Sequence, residues 1–363
     1  MIYDCAIVGA GPAGSAAALY LSRARRSVAL LDRAVFPRRK ACGEGILPAG
    51  VNVLHELGAY EEAAAYGRLF RGVSYTTRDG REARSRFPCG VGLAVPRERL
   101  DHLLLRRAAK APGVRVLEAS AMLSIEPAGG LVRVRLENEV ITARRLIAAD
   151  GMTSPALKSL GVARRGPELK RWGLAARVTG VGASDFVEVF LLDGGELYLT
   201  PLPGSGRASI ALLLEHRTLA AGADREESFW ALARSHPALA PRLARAALDG
   251  PIAGLGPLAA APARCEDGAW LAAGDAAGAV DPLVGDGIGL ALRSARLAAR
   301  ETDAALAGTG TPGGYTRARS RLVRPKERLA RFALAISRRP ALARLVIRAL
   351  RLFPSLFSVL LSH

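Results

Sequence analysis

The run Gly9-Ala10-Gly11-Pro12-Ala13-Gly14, with Asp32 eighteen residues beyond its last glycine, has the residue types and spacing that bind a dinucleotide. Gly9 permits a tight turn, Gly11 lets the backbone approach a pyrophosphate, and Gly14 allows close helix–strand packing. Pro12 and Ala13 open a helix whose free N–H groups point at the phosphates. Asp32, with Arg33 beside it, stands where a carboxylate accepts hydrogen bonds from ribose hydroxyls.

Two later segments narrow the choice of dinucleotide. Residues 146–160 read as an apolar strand followed by Asp150-Gly151 and Ser154, and residues 270–292 as a strand, Gly274-Asp275, a turn at Pro282, then Gly285-Asp286-Gly287-Ile288 and a helix. Asp275 at a strand end is placed to bond a ribitol hydroxyl. The N–H groups of the turn at Gly285, Gly287 and Ile288 open a helix and face the electron-rich pyrimidine edge of a reduced flavin. Each segment alone reads as a strand–turn–helix junction with a capping acid. All three in this order select FAD.

The elements that must position these groups follow from the apolar pattern. Residues 3–8 form a buried strand, 15–24 an alanine-rich helix and 27–32 a second strand, which together make a Rossmann-type βαβ unit. Short strand-like runs at 174–178, 185–192, 196–201 and 207–214, joined by 71–96, predict an antiparallel sheet that is part substrate platform and part lid. Residues 220–247 read as helical. The expected architecture is α/β. A discontinuous FAD-binding domain (1–70, 97–170, 265–310) is interleaved with an antiparallel-sheet substrate domain (71–96, 171–264) and followed by a helical C-terminal segment (311–363).

The three motifs resemble those of the FAD-dependent monooxygenase superfamily with the p-hydroxybenzoate hydroxylase fold, and in particular its geranylgeranyl reductase-like branch, over about residues 1–310. Lys40-Ala41-Cys42-Gly43-Glu44-Gly45 is similar to that branch's Lys-x-Cys-Gly-Gly-Gly stretch, with Glu44 in place of a glycine, and Val95-Pro96-Arg97 to Asp101 is similar to its Arg-x-x-x-Asp helix start. The resemblance implies FAD, NADPH or NADH as reductant, and Arg97 near the cofactor. It also implies a hydrophobic small-molecule substrate beside Cys42. Glu44 is a candidate proton donor, and each of these two residues also has a purely structural reading. Alkene reduction leads. Hydroxylation or epoxidation, a cyclase using flavin without net redox, and a non-catalytic membrane-associated FAD-binding protein are the alternatives. The Trp-x-Trp-x-Ile-Pro signature of flavin halogenases is absent, and Tyr198 to Pro203 matches the branch's Tyr-x-Trp-x-Phe-Pro stretch only loosely.

The composition excludes other classes. Of 51 basic residues five are lysine, which leaves 46 arginines and a formal net charge of +18. No basic patch is interleaved with aromatics, so nucleic acid is not an expected partner. The four cysteines form no CxxC pair and the five histidines are scattered, so no metal site is expected. The N-terminal strand starts too early to leave room for a signal peptide, and no apolar run reaches spanning length. A cytoplasmic protein is expected, with contact at the inner face of the membrane through its tail as one option. Beyond Glu327 the chain has no acid but seven arginines. The helical spacing sets Arg344, Arg348 and Arg351 opposite Leu345, Ile347 and Leu352. Such a segment suits either an interfacial helix or a cap on its own protein. Oligomeric state is not encoded in any of these patterns.

Overall fold

The computed structural model describes residues 1–166, 170–182, 184–215, 224–258 and 260–362. The strand Ile2–Val8 lies at the centre of a sheet in the order Glu266–Asp267, Trp270–Ala272, Val140–Ala148, Ile2–Val8, Val28–Leu31, Val114–Leu117. The four pairings among the last five strands are parallel. From Cys5 to Val8 alternate residues feed two cores, Cys5 and Ile7 one, Ala6 and Val8 the other. A parallel strand covered on both faces requires this. The first core is filled by the small side chains Ala13, Ala16 and Ala17, and by Ala295, Ala298 and Ala299 of the helix Gly287–Leu306. Alanine here lets the helix Pro12–Arg23 lie close to both sheet and neighbour.

Register brings the motifs together. Val8 pairs with Leu31 and with Ala148, and Ala148 pairs with Ala272. The turns that begin at Gly9, Asp32, Ala149 and Ala273 therefore all leave the sheet at one carboxyl edge, where ligands of open parallel sheets bind.

The second sheet runs Ala247–Leu248, Arg171–Thr179, Ala208–Glu215, Gly195–Pro201, Phe186–Leu192, Gly72–Thr76, Glu82–Arg86. It is antiparallel except where Phe186–Leu192 meets Gly72–Thr76 in parallel. Phe229, Leu239 and Leu243 cover one face, and the other looks across to the first sheet's edge. The helix expected over 220–247 is observed only as Arg225–Ala233 (220–223 lie outside the described residues). Pro237 and Pro241 stop it, since each lacks an N–H and crowds the preceding turn.

Three helices close the chain, Gly314–Ser337, Pro340–Leu352 and Pro354–Ser362. Tyr315 donates its hydroxyl to Ala272 O at 2.5 Å, which ties the first of them to the parallel sheet. Ala83 of the second sheet packs against Ile347, Leu350 and Phe357. Among the described residues no helix is long and apolar enough to cross a membrane.

Candidate active site

A cleft of about 930 Å³ separates the carboxyl edge of the parallel sheet from the second sheet. Gly9, Gly11, Pro12, Ala13, Asp32, Arg33, Cys42, Glu44, Arg97, Asp150, Gly274, Asp275, Gly285, Gly287 and Ile288 all line it. Gly14 lies behind the wall. A Cβ there would overlap the Gly9 carbonyl, so its absence lets the helix start sit on the turn. Gly9 has φ +100°, a conformation that side chains disfavour. Gly11 is open: the nearest atom to a Cβ built on it is Arg38 Nη2 at 3.6 Å. Asp32 accepts from Ala10 N at 2.8 Å and Ala34 N at 2.9 Å, which locks the glycine turn against the second strand. Arg33 is exposed at the rim.

The two later turns differ in what their acids do. Asp150 accepts from Ser154 Oγ at 2.6 Å and from Ala156 N at 2.8 Å, so both oxygens serve their own turn. Burial raises its carboxyl above the ordinary range, and the bond from Ser154 opposes that. Asp275 makes no side-chain hydrogen bond or ion pair with a described residue, and its carboxylate is open to the cleft. Gly274 has φ +59°, and a Cβ on it would press on Ala13 at 2.9 Å, which joins the third turn to the first. Gly285 and Gly287 have nothing within 4 Å of a built Cβ; the Gly285 amide donates to Pro282 O at 2.8 Å, and that of Gly287 opens the helix. Behind them Asp286 is fully buried and paired with Lys326 Nζ at 2.8 Å, with Arg293 Nη1 at 4.0 Å.

The segment 40–45 lies between the two domains. Ala41 packs with the second sheet's core and Cys42 with the parallel sheet's. Cys42 Sγ accepts from Glu44 N at 3.2 Å and lies within bonding reach of Arg97. Arg97 forks onto Asp101 through two bonds of 2.9 Å. Burial lowers the guanidinium's pKa, but Asp101 and then the Cys42 sulfur outweigh it and hold Arg97 above its ordinary value.

Glu44 corrects the expectation of a proton donor. It is buried, its Oε1 accepts from Arg97 N at 3.0 Å, and Arg177 Nη2 sits 2.5 Å from the same oxygen. Arg177 also pairs with Glu98. The carboxylate is thus clamped between a cation and a helix N-terminus, with its oxygens already engaged. Its backbone has φ +64°, the left-handed region where the resembling family carries glycine. The Arg177 clamp holds a side-chain-bearing residue in that conformation.

Sequence reasoning missed Arg38. Its guanidinium stands over the Phe36 ring at 4.6 Å, 3.8 Å from Asp32 and 3.5 Å from Asp101, facing the open side of Gly11. It is the cation a pyrophosphate at that turn would meet. Also missed were the contacts that set the cleft's width. Tyr198 donates its hydroxyl to Leu283 O at 2.8 Å, and Arg171 Nη1 reaches Asp281 Oδ1 at 2.5 Å. Arg171 also pairs with Glu196, whose carboxyl burial pushes up to about 7, with Arg171 opposing. Among the described residues no metal-holding cluster occurs.

The open Gly11 with Arg38 beside it, the cleft-facing Asp275 carboxylate and the helix start at Gly287 fit the pyrophosphate, ribitol and ring of FAD in turn. Residues 3–332 match the FAD binding domain family. Menaquinone reductase of Mycobacterium tuberculosis (strain H37Rv) is 32% identical over 329 residues, covering 83% of this chain and 76% of that protein. Digeranylgeranylglycerophospholipid reductase 2 of Methanopyrus kandleri is 29% identical over 312 residues, covering 82% and 76%. The solved p-nitrophenol 4-monooxygenase PnpA from Pseudomonas putida DLL-E4 superposes with a TM-score of 0.82 at 17% identity, over 96% of this chain and 93% of that one. That likeness speaks for the fold alone. With the family match running over most of its length and three turns gathered on one cleft, the chain belongs to the FAD binding domain family and is an FAD-dependent oxidoreductase.

Proposed function

We propose that the protein saturates a carbon–carbon double bond in an apolar, lipid-soluble small molecule, with NADPH or NADH as reductant. The alkene, NAD(P)H and one proton give the saturated product and NAD(P)⁺. The observation that carries the reading is the wall of the cleft opposite the glycine turns. Phe70, Val73, Tyr75, Val187 and Leu213 offer an apolar surface on which a hydrocarbon is desolvated. The names of both relatives, a menaquinone reductase and a digeranylgeranylglycerophospholipid reductase, point the same way.

Bound FAD supplies the hydride chemistry. The protein's part is to hold and to shape. The turn at Gly9–Gly11 with Arg38 would hold the pyrophosphate, Asp32 the ribose and Asp275 the ribitol, while the amides of Gly287 and Ile288 would face the pyrimidine edge. Cys42 meets the substrate where the two domains join, and Glu44 with Arg177 fixes the loop that carries it. The apolar wall excludes water from the reacting carbons. A substrate of this kind partitions into lipid, so the protein's work lies on the cytoplasmic side, at the inner face of the membrane.

The test is a product profile by mass spectrometry, with FAD-loaded protein, NADPH or NADH and the lipid extract of the source cells. The expected product gains two hydrogen atoms and forms without oxygen. A product that gains an oxygen atom, and only in air, would overturn the reading in favour of a hydroxylase or epoxidase.

A further inference from the structure

We infer that the outward face of the C-terminal helices docks on an anionic lipid bilayer and leads an apolar substrate to the cleft past Leu361. The second half of this inference rests on the substrate class proposed above; the docking face stands on its own geometry.

The helix Pro340–Leu352 has two apolar faces. Ala343, Ile347 and Leu350 turn inward onto the second sheet. Leu345 and Leu352 turn the other way, 63% and 66% exposed, and Phe353 just beyond the helix is 61% exposed. Large apolar side chains pointing into water at helical spacing gain nothing from the fold. Arg344, Arg348 and Arg351 flank them, all exposed. Phe332 and Val359, on the helices before and after, are 60% and 54% exposed. All seven arginines of 328–363 are exposed, no acid occurs in that stretch, and among the described residues only Arg338 is ion-paired, to Glu215 at 3.0 Å.

An apolar pole with cationic shoulders and no acid on its own helices, Asp79 and Glu215 of the second sheet reaching only Arg344 and Arg338, fits a surface that is hydrocarbon beneath a layer of negative charge. That is the lipid–water interface of an anionic bilayer. A second copy of this chain would bring a like-charged face against it.

The same helices reach the cleft from behind. Phe357 lies against the Tyr75 ring at 6.0 Å between centroids, and Tyr75 and Leu361 both line the cleft. One side of the helical tail thus faces outward and the other forms part of the substrate wall. Leu361 is the point at which the tail meets the cleft, and so the point at which a hydrocarbon chain would enter.

The test uses FAD-loaded full-length protein in co-sedimentation with phosphatidylcholine vesicles, with and without phosphatidylglycerol, at low and high salt. Wild type is expected to pellet with the phosphatidylglycerol vesicles and to be released in part by salt. The triple variant Arg344→Gln, Arg348→Gln, Arg351→Gln should bind about a hundredfold more weakly, at roughly fivefold per arginine. Leu345→Ser with Leu352→Ser and Phe353→Ser should lose the binding that resists salt. Flavin absorbance and thermal midpoint check that both variants remain folded. Equal pelleting with neutral and anionic vesicles, unchanged binding by the arginine variant, or a dimer that binds no vesicle would each overturn the docking face. These vesicles contain no substrate. Vesicle binding with no alkene reduction in the separate lipid-extract assay would therefore sink the proposed substrate and leave the surface standing, and reduction in detergent without vesicle binding would do the reverse.

Discussion

Lys326→Met should show how the turn over the flavin is held. Lys326 leaves the helix Gly314–Ser337 and buries its ammonium against Asp286, the residue that starts the helix Gly287–Leu306. At 2.8 Å, and with an effective dielectric of about 20, the attraction is worth roughly 6 kcal/mol. Relief of the lysine's own desolvation returns part of that. Arg293 at 4.0 Å still partners the carboxylate in the variant, so the loss falls at the low end of the range for a broken buried pair, about 3 kcal/mol. With roughly 2.1 cal/mol/K of unfolding entropy per residue over 363 residues, the thermal midpoint should fall by about 4 °C. FAD should release more readily, because Gly285 and Gly287 flank the orphaned acid. Adding Asp286→Asn removes a buried charge left with only the distant Arg293 and should restore most of the midpoint. The assay is a melt followed by flavin fluorescence and by circular dichroism. A Lys326→Met protein that melts with wild type and keeps its flavin would refute the argument, as would a double variant no better than the single.

Other outcomes are open to measurement. Asp275→Ala should weaken FAD binding about ten- to a hundredfold, as expected for one hydrogen bond to a charged acceptor, with the far-UV spectrum unchanged. Gly11→Val should be worse, since the side chain would occupy the pyrophosphate's place next to Arg38, and flavin titration ranks the two. Glu44→Gln should leave the pH–rate profile unshifted while lowering stability, because the carboxylate clamps Arg177 and does not deliver a proton; a lost acidic limb would reverse that assignment. Glu196 is raised by burial from the ordinary 4.5 to about 7. The folded state therefore binds the proton more tightly than the unfolded chain, and Glu196's contribution to stability should fall as pH rises from about 4.5 to about 7. Glu196→Gln should flatten that slope in denaturant titrations at several pH values.

The parts of the site legible in the sequence are those made by the backbone. Gly9, Gly14 and Gly274 answer to local φ and to contacts of one atom with the next turn, and such demands leave glycine little competition. What the sequence hid was pairing. Arg38 is one arginine among 46, and only the fold turns it toward Gly11. Glu44 meets Arg177 across 133 positions of chain, so the loop reading could not foresee a clamp. The helix read over 220–247 forms only as Arg225–Ala233, because Pro237 and Pro241 interrupt it. In the tail, charge and periodicity left two occupants for one helix. The fold gives it two faces, with Ile347 inward and Leu345 and Leu352 outward, so the sequence's grouping of these three was half right.

The cleft draws its wall from Val8 to Leu361, almost end to end. A ribosome adding about 5–20 residues per second makes the glycine turn first and the last wall tens of seconds later. Trp270–Ala272, an inner strand of the parallel sheet, is absent until nearly three quarters of the chain exists. A nascent chain therefore exposes its dinucleotide turn long before it can grip the cofactor, and capture of FAD must wait for the strand at Trp270 and the turns that follow it. Cells short of flavin would then accumulate full-length apoprotein, in contact with quality-control proteases, and not stalled fragments.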